Sequence, residues 1–250
     1  MVAILLCAGF GTRLYPLTKT QPKALLQVAG KPVLDYLVDQ LLSFQGLSAV
    51  HLVTNHRHLA HFERWARGVV PGFAEAGISF QLHDDGAHDN EERLGANGDL
   101  AFVLKRIEAP PGVLIAAGDN ILRFELWPVW NRFYTRQENL VLAIREVDPA
   151  RLRRTGVLEL NSADRVTGFH EKPECPPSHW SCPPFYFLTS QALARLDPFL
   201  TQGDLPDAMG HLLGYLVNVA PIMAIKLEGD RLDIGDLESY RRANELLDSR

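Results

Sequence analysis

Strand-like and helix-like runs alternate through the first 120 residues of this chain, and no other feature limits its fold so tightly. VAILLC (2–7) is short, wholly apolar and bounded by Gly9, as expected of a strand buried on both faces. KPVLDYLVDQLLSF (31–44) then places Val33, Leu34, Leu37, Val38, Leu41 and Leu42 at helical spacing. AVHLV (49–53) reads as strand, HLAHFERWARG (58–68) as an amphipathic helix closed by Gly68, and ISFQL (78–82) as strand again. A helix near 98–107 and a strand at VLIAA (113–117) continue the series. Strands and helices that take turns build an α/β fold whose mostly parallel sheet is covered on both faces.

From Asn139 the rhythm changes. LVLAIREV, GVLELN, RVTGFHEK and PFYFL are strand-like and less regularly interrupted, and LPDAMGHLLGYLVN (205–218) and DLESYRRANELL (236–247) are helical in pattern. A length of 250 residues suffices for one large domain. With no internal repeat and no Pro/Gly-rich linker, the change near 139 marks a second lobe of that domain, giving lobes 1–138 and 139–250.

Charge and cysteine usage remove several classes of function. The formal charge is -5, from 25 Lys+Arg against 30 Asp+Glu, which argues against a general nucleic-acid partner and leaves a small anion open. Cys7, Cys175 and Cys182 form no metal-binding spacing and make an odd count, as free thiols in a reducing cytoplasm would. No apolar run approaches the ~18 residues of a membrane span, and the chain enters a strand at once, leaving no room for a signal peptide. The expectation is a cytoplasmic protein with no membrane segment.

Three places carry chemistry. LLCAGFGTRLYPLT (5–18) runs from strand into a glycine loop, which can point backbone N–H groups at phosphate oxygens. Gly9 and Gly11 permit close approach, and Arg13 can add a bidentate contact. The loop is not a Walker A sequence, because Gly30-Lys31 is followed by Pro32. Nor is it a dinucleotide fingerprint, because Tyr15 and Pro16 stand where a third glycine belongs. Asp119 follows VLIAAG and so emerges at the carboxyl end of a buried strand, where open α/β sheets bind ligands. Glu171 and Lys172 end RVTGFHEKP; out of context they would be a surface ion pair.

Together these stretches resemble the sugar-1-phosphate nucleotidylyltransferases, and glucose-1-phosphate thymidylyltransferases in particular. LCAGFGTRLYPLT, QPKALL and VAGKP match L-A-G-G-x-G-T-R-L-x-P-L-T, P-K-x-L and G-K-P. RLGANGDL (93–100) resembles P-L-G-T-A-x-A-L, and AAGDNIL (116–122) the L-G-D-N/D-x turn. GVLELNSADRVTGFHEKPE (156–174) resembles Y-G-V-V-E…V-x-x-F-x-E-K-P, and RLDIGDLESYRRANELL (231–247) resembles W-x-D-I-G-T-x-E-S-Y-x-x-A-N. The matches keep the family's order and run from about residue 3 to 247.

The resemblance implies a Rossmann-like nucleotidyltransferase fold with a mixed, mostly parallel central sheet. A nucleotide-binding lobe (1–138) would be joined to a sugar-phosphate-binding lobe with its C-terminal helix (139–250). It implies transfer of a nucleotidyl group from a nucleoside triphosphate to a sugar 1-phosphate with release of pyrophosphate, a reaction that needs alignment and charge neutralisation. By motif position, Arg13 would bind the triphosphate and Lys23 the α-phosphate and sugar phosphate. Leu6, Ala8, Gly9, Gly11 and Thr12 would complete the nucleotide loop, with Gly95 against the base and Asn90 reading it. Asp119 and Asp233 would share Mg²⁺, a hard cation that suits carboxylates and phosphates. Gly156 and Glu171 would contact the sugar, and Lys172 its phosphate.

Two departures touch the sugar side. Thr155 stands where the family often has Tyr, and CPPFYF puts Pro184 where the T-G-I-Y-F strand has glycine, removing a backbone donor. The chain also stops after the DIGD helix, which implies a single-function enzyme and leaves a homo-oligomer open. The first expectation for the substrates is dTTP with glucose 1-phosphate. Alternatives are UTP, GTP or CTP with another acceptor, such as heptose 1-phosphate or phosphocholine, or a non-catalytic sugar-nucleotide sensor of the same fold.

Overall fold

Val2–Leu6 (β1) pairs in parallel with Ala49–Thr54 (β2), which pairs in parallel with Ser79–Asp84 (β3). On its other side β1 pairs in parallel with Gly112–Ala117 (β4). Every residue of β1 is buried, so its side chains feed two cores by alternation. Val2, Ile4 and Leu6 enter one, with Leu100 and Val103; Ala3 and Leu5 enter the other, with Leu34, Leu37, Phe62 and Trp130. The structure, a computed structural model, describes residues 1–201 and 205–248.

Helices Val33–Leu41 (α1), Leu59–Glu75 (α2) and Gly95–Leu104 (α3) form the crossovers of this half. Beyond β4 come Asn120–Leu122 (β5) and Trp127–Arg136 (α4). The second half adds Leu140–Arg145 (β6), Gly156–Leu160 (β7), Val166–Glu171 (β8), Trp180–Cys182 (β9) and Phe185–Thr189 (β10). It ends with Gly210–Val219 (α5), Met223–Leu227 (β11), Arg231–Asp233 (β12) and Leu237–Asp248 (α6).

One mixed sheet holds both halves, in the order β8–β7–β9–β6–β10–β4–β1–β2–β3. The first half contributes parallel pairings, and β10 joins the halves by pairing antiparallel with β4, Phe185 opposite Ala116. β6 is the branch point: β11 runs parallel along Leu140–Ile144, β10 pairs with its first two residues and β9 with its last two. No described helix is long and apolar enough to cross a membrane.

Three helix boundaries differ from the sequence expectation, and those of α2 and α5 do so for a tertiary reason. α2 does not stop at Gly68 but continues through Pro71 to Glu75 and closes at Gly77, whose φ is +72°. A helical glycine costs about 1 kcal/mol. Burying Phe73, fully enclosed and stacked on Phe80, repays it with roughly 1.5–3 kcal/mol. α3 starts at Gly95 and ends at Leu104, so it lies one turn earlier than the pattern near 98–107 suggests. α5 starts at Gly210, because the buried Asn97 amide donates to the carbonyls of Pro206 (2.6 Å) and Ala208 (3.0 Å) and holds that segment out of the helix.

Candidate active site

The carboxyl end of β4 delivers Gly118 and Asp119 directly into a two-stranded antiparallel ladder, β5 with β12, in which Asn120 faces Asp233. Ile234 N–H donates to the Asp119 carbonyl at 3.0 Å and continues the ladder past Asp233. Beneath it Ile121, Leu232 and Ile234 pack on Leu14, Val33 and Ala243 as a small core of their own. That apolar footing brings together two carboxylates from distant parts of the sequence.

The phosphate loop is tied from below. Cys7 N–H donates to the Val53 carbonyl (2.9 Å), and the buried Asn55 amide donates to the Ala8 carbonyl (2.7 Å). Leu6 and Ala8 are buried, Gly9 is exposed, and Gly11 takes a left-handed φ of 60°. A side chain at Gly11 would come within 3.1 Å of Thr18, whose hydroxyl donates to the Gly11 carbonyl at 2.7 Å. The turn Thr12–Leu14 follows, with Leu14 fully buried as anchor and Arg13 exposed toward the cleft. A second such turn spans Leu17–Lys19, and Lys23 opens the third, Lys23–Leu25, after an extended Pro22.

Lys23 Nζ forms an ion pair with Asp119 Oδ2, and the side chains are only 15% and 27% exposed. Asn120 Nδ2 donates to the other oxygen, Asp119 Oδ1, at 2.6 Å. Burial alone would raise the Asp119 carboxyl, but the Lys23 charge and hydrogen bonds overcome it and hold the group below its ordinary range. Burial likewise works against the Lys23 ammonium, yet Asp119 and Asp233 keep it above its usual value. Asp233 goes the other way: withdrawal from water in the cleft and the neighbouring Asp119 charge push its carboxyl upward. Half of its side-chain surface (49%) still meets the cleft, so the repulsion from Asp119 is the part a bound cation would relieve.

Two concavities meet at this ladder. A pocket of about 220 Å³ is lined by Asp119, Gly156, Glu171, Lys172, Pro184 and Asp233, among others. A cleft of about 640 Å³ lies on the far side of Asp233, toward Arg13 and the start of α6. Glu171 lies against Gly210, the first residue of α5, where the helix N-terminus favours a carboxylate. Lys172, just past the end of β8, has a left-handed φ of 46°, uncommon for a lysine, while its N–H donates to the Thr155 carbonyl at 3.2 Å. Pro184 does not donate, but its carbonyl accepts from Ala117 N–H at 3.1 Å and so helps to close the pocket wall.

Asp119, Asp233, Gly156, Glu171 and Lys172 therefore share one pocket, with Lys23 on Asp119 and Arg13 across Asp233. Gly95, φ +74°, begins α3 against Asp207. Asn90 is exposed and lines neither concavity; its carbonyl accepts from Arg93. Sequence reasoning missed Asn55, Asn120 and Arg231. Asn120 stands next to Asp119 in GDN and could have been noticed, whereas Asn55 and Arg231 act through partners far along the chain.

Gly118 is required by close approach: a Cβ there would fall 2.3 Å from Cys7 Sγ. Gly118→Ala is expected to destabilise the protein by about 1–3 kcal/mol through overpacking. Adding Cys7→Ala should return part of that loss. Denaturant titration of both single variants and the double variant checks this, and strictly additive losses would contradict the contact.

The family model described as nucleotidyl transferase matches residues 2–250. The chain is 29% identical over 252 residues to the UTP–glucose-1-phosphate uridylyltransferase AglF of Haloferax volcanii, covering 99% of this chain and 96% of that relative. It is 26% identical over 272 residues to a glucose-1-phosphate adenylyltransferase of Geobacter metallireducens, where it spans 65% of the relative's length and 97% of its own. In fold it resembles a UDP-glucose pyrophosphorylase solved with UDP-glucose, at a TM-score of 0.80 and 20% identity, over 98% of this chain and 97% of that one.

Proposed function

The chain belongs to the nucleotidyl transferase family as a sugar-1-phosphate nucleotidyltransferase, and from that premise we propose that its donor is a pyrimidine triphosphate and its acceptor a hexose 1-phosphate. The observation that carries the nucleotidyl-transfer chemistry is the cluster at the β5–β12 ladder: two adjacent carboxylates, a largely enclosed lysine on one of them, and a pocket and a cleft meeting there. The relative named for UTP and glucose 1-phosphate, matched over nearly its whole length, supports the pair.

On this reading the glycine loop, Gly9, Gly11 and Thr12, together with Arg13 at the cleft, takes the triphosphate, and the pocket takes the acceptor. Lys172 meets the acceptor's phosphate, and Glu171 accepts from sugar hydroxyls. A phosphate oxygen of the acceptor attacks the α-phosphorus in line, and the electron pair of the breaking bond leaves with pyrophosphate. Lys23, kept cationic by its two carboxylates, sits where the phosphate charges converge. Asp119 and Asp233 fit Mg²⁺: both are hard oxygen donors, and burial together with the Asp119 charge beside it holds Asp233 above its usual range. Bound there, Mg²⁺ would neutralise phosphate charge. Among the described residues no three His, Cys, Asp or Glu side chains form a fuller cage, which suits an ion completed by substrate phosphates and water.

Pyrophosphate release should be followed for five triphosphates against a panel of phosphorylated acceptors with Mg²⁺. UTP and dTTP are expected to lead with glucose 1-phosphate and to differ modestly, because one methyl in an apolar pocket is worth only about 1–3 kcal/mol. GTP or ATP as the best donor would overturn the pyrimidine assignment. Nucleotide binding without turnover of any pair would point to a sensor.

A further inference from the structure

Arg231 is an enclosed cation whose hydrogen bonds go to neutral groups. Its side chain is only 15% exposed. Nη1 donates to Asn120 Oδ1 at 2.7 Å and Nη2 to Thr155 Oγ1 at 2.9 Å. Among the described residues its ion-pair partner is Asp233, whose Oδ2 is 3.9 Å from Nη1, beyond hydrogen-bond range. The carboxylates of Asp233 and Asp119 balance the guanidinium's charge from a distance but, among the described residues, take none of its hydrogen bonds, so donors stay open to an anion that arrives from outside. A guanidinium has five N–H donors; two are spent on aiming it, and others remain for an oxyanion.

The aim is well supported. Asn120 accepts from Arg231 through Oδ1 and donates through Nδ2 to Asp119, so one amide fixes the guanidinium relative to the inferred metal carboxylate. Thr155 Oγ1 is 3.3 Å from Ser181 Oγ, which anchors the second tether. Among the described residues, Arg231 is also one of four, with Arg154, Thr155 and Asp233, that line both the acceptor pocket and the cleft. It therefore stands where an acceptor phosphate and a triphosphate would meet. The motif matched by RLDIGD begins with tryptophan, so this cation belongs to the present chain and is not carried by that motif.

We propose that Arg231 is a catalytic residue, contacting the reacting phosphates and stabilising the charge on their oxygens during nucleotidyl transfer. The bond formed is from an acceptor phosphate oxygen to the α-phosphorus; the bond broken releases pyrophosphate with its electron pair. This rests on the functional reading above. The tethers from Asn120 and Thr155 give Arg231 a fixed geometry before substrate arrives, which is where preorganised charge acts most strongly.

The test uses the substrate pair that the wild-type enzyme turns over best. Arg231→Gln should lower kcat by about 10²-fold or more, the range for removing one preorganised charge-stabilising group, with a smaller change in KM for the donor. Arg231→Lys should recover part of the rate, and millimolar guanidinium should raise turnover of Arg231→Ala. Thr155→Val, which cuts one tether and keeps the cation, should cost far less than Arg231→Gln. The proposal is overturned if Arg231→Gln stays within threefold of wild type. It is equally overturned if Arg231→Lys and added guanidinium restore nothing while all Arg231 variants lose thermal stability together, the pattern of a structural tie. Absence of turnover in the wild type would sink the functional reading instead. Calorimetry with inorganic pyrophosphate then judges Arg231 separately: weaker binding to Arg231→Gln supports the anion contact, and equal binding removes it.

Discussion

Asp119→Asn and Asp233→Asn are each expected to lower turnover by about 10²-fold or more, the range seen when one preorganised charge-stabilising group is removed. Their effects on stability without divalent cations should have opposite signs. Asp119 is charged below its ordinary range because Lys23 pairs with it, so Asp119→Asn removes a favourable interaction. Asp233 carries a raised carboxyl, so its charge opposes folding above the pH at which it would ordinarily ionise. Asp233→Asn should therefore unfold at the same or a slightly higher temperature than wild type in EDTA. Near-wild-type turnover in either folded variant would remove that carboxylate from the mechanism.

Lys23→Met should have the largest effect on stability, about 3–5 kcal/mol near neutral pH in EDTA, the range for removing one partner from a buried ion pair. It leaves Asp119 largely enclosed with no cation in contact. The pH dependence gives a second signature. In wild type the depressed Asp119 carboxyl contributes stability that is present above the ordinary aspartate pKa of about 4, and it is lost as pH falls through the lower folded value. The raised Lys23 contributes stability below the ordinary lysine value that is lost as pH rises through the higher folded one. In Lys23→Met burial governs Asp119, so the deficit relative to wild type should shrink as pH is lowered from 7 toward 4. Denaturant titrations across that range in EDTA measure it. A variant as stable as wild type at pH 7 would show that the pair contributes nothing, and a deficit constant with pH would show that the loss is not electrostatic.

Local patterns made much of the fold legible. VAILLC, AVHLV and VLIAA are apolar runs whose burial on both faces follows from composition alone, and they became the parallel core of the sheet. The family resemblance of the motifs marked Arg13, Lys23, Asp119, Glu171, Lys172 and Asp233, and the last four line a common pocket. Where local signals failed, a distant contact had prevailed. Phe73 on Phe80 carried α2 past Gly68, and Asn97 kept residues 206–208 out of α5. WSC (180–182) and RLD (231–233) are strands too short for a period to show, defined only by the partners beside them.

The sequence by itself determined the alternating architecture and the glycine loop, because both are written in residue type and short-range spacing, and its resemblance to a family named the candidate charged groups. Only the tertiary structure decided which charges share a boundary. Arg231 reaches Asn120 across 111 residues and Thr155 across 76, and no periodicity records such a meeting. The meeting exists because Ile121, Leu232 and Ile234 bury themselves against Leu14 and Ala243, and hydrophobic packing of that kind fixes the polar groups carried on its edges.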